Sequence, residues 1–362
     1  MSTRKPVVTL LSNREVREGY IAPSDVARLG GFSDFGWEEF NEASSWDSPP
    51  ETSAPVMVRL VDACKRSDAV IVCHGSPRIS AQVLDAAPRL KFAGELEGDR
   101  FAQRIDVEAC AARGVRAIDT THGSSYPVSE WALAMMMIGL RNAGAHFRRL
   151  AAGGGWMTTE QRQADAGYKL GELTGRTVGL IGCGHIGRRL LDFLKPFHCR
   201  VLVHDPYIPR ELADAYGFDL TTLDNVLSLP EVVVCLAPLT PRTRGIIGPR
   251  EIALMKPGVV FVNVSRGAIV QSAALVERLK IGDMIASLDV FDPEPIPVGS
   301  PVRQMENVFL SPHIAGVTAR SRTRFFDLMV DELERFFSGH ETHHDLLPRT
   351  MANRRGDTPS GR

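Results

Sequence analysis

The sequence predicts an α/β fold built on parallel sheets, and three observations indicate it. Short apolar runs alternate with helical stretches along most of the chain. One run, TVGLI, leads into a glycine-rich turn and then into a helical stretch. Three later runs are followed by polar residues, namely Arg266, Glu294 and His313. Ligands of an open parallel sheet bind at the carboxyl ends of its strands, so we expect these three side chains to meet there.

The apolar runs fall into two sets. The first set lies before residue 125 and contains VVTLL, AVIVCH, LKFAGEL and VRAIDT. The second set contains TVGLIG, RVLVHD, EVVVCLA, VVFVNVS, MIASLDVF and NVFLSP. Between the sets we expect a helix that has Pro127 and Glu130 in its first turn and runs to about Arg149. A further helix is predicted over residues 318–338, and residues 44–55 are predicted to form an exposed loop.

Length and composition limit the classes of function. A chain of 362 residues has room for two domains, and its net charge of −1 argues against nucleic-acid and anionic-membrane partners. The longest apolar run is shorter than the ~20 residues of a membrane-spanning helix. Six scattered cysteines without a CxxC pair are typical of reduced thiols, so we expect a cytoplasmic protein.

The glycine-rich turn predicts a dinucleotide site. Gly182 permits a tight turn, Gly184 lets the backbone approach a pyrophosphate, and Gly187 allows close packing of helix on strand. The next strand ends at Asp205, close to the offset expected for an acid that binds the adenine ribose. A carboxylate there repels a 2′-phosphate, which favours NAD over NADP. The alternative is a glycine turn in an ordinary α/β unit, with Asp205 as a strand-end cap.

The three polar residues suit hydride transfer to a 2-oxo acid. Arg266 can hold a carboxylate and polarise a carbonyl, His313 can supply a proton, and Glu294 can favour the protonated imidazole. Taken singly, each has an ordinary structural explanation: a surface ion pair, a strand-end histidine and a solvated acid. Their order behind a nucleotide loop favours the catalytic interpretation.

From about Leu90 to Gly339 the chain resembles the D-isomer-specific 2-hydroxyacid dehydrogenase family, most densely between Gly171 and Gly316. The matching segments are GRTVGLIGCGHIG, LAPLTPRTRGIIG, MKPGVVFVNVSRG, LDVFDPEP and SPHIAG. The resemblance implies that Arg266 clamps the substrate, that His313 is the acid/base and that Glu294 is its partner. It also implies a set of cofactor-binding residues: Gly182, Gly184, His185, Ile186, Gly187, Asp205, Pro238, Thr243, Val264, Arg266, Asp289, His313 and Gly316.

The resemblance further implies two doubly wound domains, with a Rossmann NAD-binding domain inserted in a flavodoxin-like substrate domain. We expect the substrate domain at residues 1–125 and 318–347, the NAD-binding domain at 126–317 and a disordered tail at 348–362. Members of the family usually dimerise through the NAD-binding domain, so a homodimer is expected. No metal is expected.

One segment departs from the family pattern. Residues 94–106 replace a compact glycine-rich substrate loop with a slightly longer, far more charged sequence, GELEGDRFAQRID. Candidate substrate-binding residues in and near it are His74, Gly75, Gly98 and Arg100. If Glu95 and Glu97 point inward they disfavour an anion, whereas Arg100 or Arg104 favours one; the alternative is that the charges face solvent. Trp131 also stands where many members carry histidine.

Other functions compete with a 2-hydroxyacid dehydrogenase. Relatives on this fold include NAD-sensing corepressors, and a phosphite dehydrogenase-like enzyme is a further alternative. The formate enzymes carry glutamine where this chain has Glu294, which disfavours that branch. His340-Glu341-Thr342-His343-His344 matches HExxH, but Gly339 before it predicts a loop rather than the helix that a zinc protease requires.

Overall fold

The computed structural model describes residues 4–43, 48–98 and 103–355. These form two compact units: one contains the chain up to Ser124 and again from Thr318, and the other contains Ser125–Val317. Arg100 and residues 44–47 of the expected loop lie outside the described residues. Residues 48–53 belong to no helix or strand, whereas the last two residues of the expected loop begin a helix, so the loop is shorter than predicted.

The first unit contains a sheet of five parallel strands. In the described residues these are β1 (Val7–Ser12), β2 (Asp34–Glu39), β3 (Ala69–Val72), β4 (Phe92–Glu95) and β5 (Arg116–Asp119), in the order β2-β1-β3-β4-β5. This is the flavodoxin-like order, whose connections reverse direction between β1 and β3. The sequence analysis missed the edge strand β2, because only two of its residues, Phe35 and Trp37, are large and apolar.

Helices cover this sheet, and the last long one returns from the far end of the chain. They are α1 (Arg14–Gly19), α2 (Pro23–Phe32), α3 (Ala54–Arg66), α4 (Ala81–Ala86), α5 (Val107–Ala112), α15 (Ala319–Phe337) and α16 (Pro348–Arg355). Phe325, Met329 and Leu333 of α15 are buried in one cluster with Leu10 and Ile71 of the sheet. Burial of this apolar face explains why a distant segment completes the first unit. The expectation of disorder from residue 348 is wrong for Pro348–Arg355, which are helical.

The second unit contains a parallel sheet of seven strands within the described residues. They are β6 (Thr177–Ile181), β7 (Arg200–His204), β8 (Asp219–Leu220), β9 (Val232–Cys235), β10 (Val260–Asn263), β11 (Ile285–Leu288) and β12 (Val308–Leu310). Their order is β12-β11-β10-β9-β6-β7-β8. The order reverses between β6 and β9, as in doubly wound dinucleotide-binding folds. The two-residue edge strand β8 was not predicted, because so short a segment has no readable period.

The helices of the second unit lie on both faces of its sheet, as expected for a doubly wound α/β fold. They are α6 (Ser125–Leu140), α7 (Ala143–Ala151), α8 (Thr159–Ala164), α9 (Ala166–Leu170), α10 (His185–Leu194), α11 (Arg210–Tyr216), α12 (Leu223–Ser228), α13 (Pro249–Leu254) and α14 (Ser272–Ile281). Short 3₁₀ turns cover Thr121–Ser124, Lys195–Phe197, Gly267–Ile269 and Pro301–Arg303. None of the helices in the described ranges is both long and apolar enough to cross a membrane.

The helix predicted from Pro127 to about Arg149 is two helices. The chain breaks after Leu140, and Asn142 adopts a left-handed conformation with φ of 45° before α7 begins. Arg148 of α7 then donates to the backbone oxygens of Val308 and Met305, each at 2.8 Å. The break therefore redirects the chain so that α7 packs beside β12.

We predict that Gly75→Ala destabilises the first unit. Gly75 has φ of 84°, and an added Cβ would lie 2.5 Å from the Phe40 carbonyl oxygen and 2.7 Å from the Asn13 nitrogen. Backbone strain and overpacking together should lower the free energy of unfolding by about 1–3 kcal/mol. Thermal unfolding followed by circular dichroism measures the effect.

The matched control is Gly31→Ala in the exposed last turn of α2, where a Cβ meets nothing within 4 Å. Alanine there should stabilise the helix by up to about 1 kcal/mol. Equal melting temperatures for the two variants would contradict the importance of the Gly75 turn.

Candidate active site

The glycine-rich turn joins β6 to α10 and has the open surface that a dinucleotide requires. Gly182 has φ of 91°, and a Cβ there would lie 2.8 Å from the Ala237 backbone. A Cβ on Gly187 would lie 3.2 Å from the Gly182 oxygen, so this residue packs helix against turn. A Cβ on Gly184 would meet nothing within 4 Å, so the backbone is open there. The amino end of α10, which begins at His185, favours an anion such as a pyrophosphate.

Asp205 follows β7 and is held against the turn. One carboxylate oxygen accepts a hydrogen bond from the Cys183 amide at 2.9 Å, and the other accepts one from the Tyr207 amide at 2.9 Å. The side chain therefore organises the glycine turn while its negative charge remains beside it. This placement fits an adenine ribose and disfavours a 2′-phosphate.

Arg266 is presented by a turn that Asn263 shapes. Asn263 ends β10 and is buried; its Oδ1 accepts from the Ser265 amide at 3.1 Å and its Nδ2 donates to the Arg266 oxygen at 3.2 Å. The Arg266 residue is exposed, and its Nη1 donates to the Ser265 oxygen at 2.7 Å. A Cβ on the following Gly267 would lie 2.0 Å from the Phe291 carbonyl, so only glycine fits there.

Asp289 anchors the segment that carries His313. The carboxylate is buried beyond the end of β11 and accepts hydrogen bonds from the Ser311 hydroxyl at 2.5 Å and from the Ile314 and Ala315 amides at 3.0 Å. His313 itself has φ of 54°, a left-handed conformation that is uncommon outside glycine. The amide of His313 donates to the backbone oxygen of Asp289 at 2.9 Å. Asp289 therefore holds the backbone from which the imidazole projects.

His313 and Glu294 form a direct pair. Nδ1 of the imidazole lies 2.6 Å from Oε1 of Glu294, and both side chains are about two-fifths exposed, at 42% and 41%. A carboxylate on one ring nitrogen orients the imidazole and leaves the other nitrogen to face a reactant. The arrangement can hold and transfer a proton at Nε2.

The remaining cofactor candidates lie at the same edge of the second unit's sheet, where strands and loops meet. The Thr243 hydroxyl donates to the Pro238 oxygen at 2.6 Å, which fixes the loop after β9. Val264 is buried, whereas Ile186 and Gly316 are partly exposed. The structure thus places every candidate cofactor residue in the second unit, and their contacts with a cofactor stay predictions.

In the first unit, two of the candidate substrate residues serve internal contacts. Gly75 forms the tight turn after β3 described above, and the Gly98 amide donates to the Thr121 hydroxyl at 2.8 Å. His74 lies between two charged partners: its Nδ1 is 3.1 Å from Nη2 of Arg104, and its Nε2 is 3.3 Å from Oε2 of Glu97. Among the candidates that the structure describes, only His74 combines a polar side chain with partial exposure.

The charges of the unusual loop do not all face solvent. Glu95 is 2% exposed and Arg104 is 6% exposed, and Nη1 of Arg104 lies 3.0 Å from Oε1 of Glu95. Burial raises the pKa of the Glu95 carboxyl to about 7, although the Arg104 guanidinium opposes the rise. Arg104 is therefore not a free cation that could attract a substrate anion. Its guanidinium instead donates hydrogen bonds to Glu95, to His74 and to the Glu97 backbone oxygen.

Several supporting residues had no signal in the sequence. Asn263 and Ser311 are ordinary polar residues at strand ends. Tyr20 follows α1, and its hydroxyl donates to Oε2 of Glu97. Trp131, noted only as a departure, donates from its indole nitrogen to the Ser311 hydroxyl at 3.1 Å. Ser311 in turn donates to Asp289, so a tryptophan on α6 supports the His313 segment. The pairing of these residues depends on packing that no local pattern encodes.

The HExxH match lies between α15 and α16, outside any helix, as predicted. Gly339 with φ of 77° ends the preceding helix. The two histidines of the motif are therefore not one helical turn apart, and the segment lacks the geometry of a zinc protease.

Comparison with known proteins agrees with this geometry. Residues 133–315 match the family described as D-isomer specific 2-hydroxyacid dehydrogenase, NAD binding domain. The chain is 32% identical over 285 residues to a D-3-phosphoglycerate dehydrogenase of Methanocaldococcus jannaschii, covering 77% of this chain and 52% of that protein. It is 35% identical over 246 residues to a mitochondrial formate dehydrogenase of Hordeum vulgare, covering 66% of this chain and 63% of that protein.

The chain spans about half the length of the D-3-phosphoglycerate dehydrogenases that it matches. Among solved structures, a phosphoglycerate oxidoreductase from Rhizobium etli aligns with a TM-score of 0.78 over 94% of this chain and 98% of that one. At 20% identity this likeness shows the fold alone. The matches confirm the predicted fold class and the NAD-binding domain.

We predict a preference for NADH over NADPH that Asp205→Asn relaxes. Asparagine keeps an oxygen that can accept from the glycine turn, but it removes the charge that repels a 2′-phosphate. Relief of a repulsion of about 1.4 kcal/mol or more should raise kcat/KM for NADPH by about tenfold relative to NADH. Initial rates with both cofactors measure the ratio.

Asp214→Asn on the exposed side of α11 is the matched control and should leave the ratio unchanged. A wild-type protein with higher kcat/KM for NADPH would contradict the role assigned to Asp205.

Proposed function

Because the chain belongs to the D-isomer-specific 2-hydroxyacid dehydrogenase family, we propose that it is an NAD-dependent oxidoreductase that interconverts a 2-hydroxy acid and its 2-oxo acid. The observation that supports the proposal most is the pairing of His313 with Glu294 at 2.6 Å, in the unit that also holds the glycine turn and Arg266. The open backbone at Gly184 and the carboxylate of Asp205 fit a bound NAD.

Each residue of the proposed site has a distinct chemical task. Arg266 binds the substrate carboxylate with its planar fork and polarises the neighbouring carbonyl. His313, protonated at Nε2, donates that proton to the carbonyl oxygen during reduction and accepts it during oxidation. Glu294 orients the imidazole and stabilises its protonated form. When bound, NADH supplies the hydride that the carbonyl carbon receives.

We also infer a homodimer formed through the second unit. Phe147 and Leu150 lie three residues apart on α7, so they share one helix face, and they are 73% and 49% exposed. Trp156 and Tyr168, in the segment that follows, are 89% and 59% exposed. A concentration of exposed large apolar side chains indicates a protein interface. The family resemblance supports a second copy of the chain as the partner.

A cytoplasmic location is proposed from the cysteines. All six are free thiols, and all but Cys199 are buried. Unpaired thiols spread over both units are typical of proteins in a reducing compartment.

We expect His313→Ala to lower kcat for 2-oxo acid reduction by ~10²–10⁴-fold, because general acid catalysis contributes about that much. NADH binding, followed by fluorescence titration, should persist. Glu294→Gln should be milder. Glutamine can still accept a hydrogen bond from the imidazole and orient it, but it carries no charge, so kcat should fall by less than in His313→Ala.

Glu306→Gln, at an exposed glutamate of the same unit, is the control and should keep the wild-type kcat. An unchanged kcat in Glu294→Gln would remove Glu294 from its assigned role. Full activity in His313→Ala would refute the proposed mechanism.

We expect the wild-type protein to have about twice the 39.7 kDa mass of the chain in size-exclusion chromatography with light scattering. Phe147→Glu places a charge in the proposed interface, where its desolvation is costly, and should shift the mass toward that of the single chain. Val298→Glu is the control, because Val298 is 91% exposed and lies in the same unit outside the segment that contains Phe147, Trp156 and Tyr168. A wild-type monomer at micromolar concentration would contradict the inference.

A further inference from the structure

Trp131 is carried by a helix that is packed tightly on the sheet of the second unit. Helix α6 contacts β10 and β11, and a Cβ on its Gly139 would lie 2.4 Å from Cγ1 of Val260. Met135 of the same helix is buried in one cluster with Val260. The partly buried Trp131 ring lies beside Phe309 of β12, with ring centroids 6.4 Å apart. The position of the indole is therefore fixed by the packing of a whole helix.

The indole N–H determines the direction of the hydrogen bonds at Ser311. Nε1 of Trp131 lies 3.1 Å from the Ser311 Oγ, which in turn lies 2.5 Å from Oδ1 of Asp289. An indole can only donate, so the serine oxygen accepts from Trp131, and its single hydroxyl proton is donated to Asp289. Ser311 and Asp289 are 9% and 2% exposed, so these contacts are shielded from bulk water.

Asp289 connects this hydroxyl to the backbone around His313. Its Oδ1 also accepts from the Ile314 amide, and its Oδ2 accepts from the Ala315 amide, both at 3.0 Å. The His313 amide donates to the backbone oxygens of Asp289 at 2.9 Å and of Ser311 at 3.1 Å. A change in the orientation of the Asp289 carboxylate would therefore reach the residue that carries the imidazole.

The conformation of His313 makes this support necessary. Its φ of 54° is in the left-handed region, which a residue other than glycine keeps only when its surroundings hold it there. The contact of Nδ1 with Glu294 at 2.6 Å orients the ring, but both side chains are about two-fifths exposed. The backbone hydrogen bonds must therefore supply much of the constraint on where the imidazole lies.

We propose that Trp131 is a positioning residue for proton transfer, whose indole N–H acts through Ser311 and Asp289 to hold the His313 imidazole in its reactive position. The inference rests on the proposed function, because it takes His313 to be the acid that protonates a 2-oxo acid. A general acid must lie within hydrogen-bonding reach of the atom that it protonates, so a small displacement of the imidazole slows the reaction. An indole neither titrates nor accepts, so this support keeps its direction as the pH changes.

The first test is Trp131→Phe, which keeps an aromatic ring beside Phe309 and removes the N–H. The full-length chain is assayed with NADH and whichever of pyruvate, phenylpyruvate and 2-oxoglutarate the wild type reduces fastest. We expect kcat to fall by about three- to tenfold, the effect of one lost hydrogen bond. The solvent deuterium isotope effect on kcat should increase, because proton transfer becomes slower. A variant that is merely less folded would have a lower kcat and an unchanged isotope effect.

A double-mutant cycle with Ser311→Ala tests the route. Ser311→Ala alone should lower kcat by about tenfold, because it removes a hydrogen bond to a carboxylate. In that background Trp131→Phe should change kcat by less than about twofold, since its effect reaches His313 through the missing hydroxyl. Independent, multiplicative losses in the double variant would overturn the proposal.

Trp37→Phe in the first unit is the matched control. It removes an indole N–H that also contacts a serine, because Nε1 of Trp37 lies 3.2 Å from the Ser12 Oγ. This variant should keep the wild-type kcat and isotope effect. The same losses in Trp37→Phe as in Trp131→Phe would overturn the proposal, since they would show a general effect of the substitution.

Amide hydrogen exchange, measured on the full-length chain by NMR, tests the inference without catalysis. The amides of His313, Ile314 and Ala315 should exchange about three- to tenfold faster in Trp131→Phe and at the wild-type rate in Trp37→Phe. If no 2-oxo acid is reduced, the proposed function fails, and these exchange rates still decide whether Trp131 positions the His313 segment. Unchanged exchange in Trp131→Phe, or an unchanged kcat and isotope effect in an active protein, would refute the inference.

Discussion

The parallel register of β10, β11 and β12 is the constraint on which the candidate active site depends. Asn263 pairs with Leu288, and Leu288 pairs with Leu310, so the three strands end at the same level. The next residues therefore emerge side by side, although almost fifty positions of sequence separate the first strand from the third. Arg266, Asp289 and His313 follow these ends. A slip of one residue in the register would turn each side chain to the opposite face of the sheet.

Beyond the strand ends, buried polar side chains convert this alignment into a defined geometry. Asn263 satisfies the backbone of the turn before Arg266, and Asp289 does the same for the segment around His313. A buried carboxylate without donors would be costly, so the three hydrogen bonds that Asp289 accepts both stabilise it and fix the chain around it. The residues that are proposed to act chemically are thus positioned by buried polar side chains.

Buried polar contacts also organise the charged loop of the first unit, which lies within residues 94–106. The buried pair of Glu95 and Arg104 ties the two ends of the loop together, and a broken buried pair would leave an uncompensated charge. Arg104 also orients His74, and His74 and Tyr20 hold Glu97. Glu95 and Arg104, which the sequence left as candidates to repel or attract a substrate anion, are instead buried against each other. Glu97 remains partly exposed.

The sequence by itself determined the α/β class, ten of the twelve strands found in the described residues, the nucleotide turn and the three proposed catalytic side chains. These features are encoded locally, by apolar runs, glycine spacing and polar residues at strand ends. It did not reveal the edge strands β2 and β8, the break at Asn142 or the helix from Pro348, because weak or short patterns are decided by packing. Only the tertiary structure showed that Glu95 and Arg104 are buried partners and that Tyr20 supports Glu97. Their contacts join residues that are far apart in the chain, or depend on burial, and neither is visible in a linear pattern.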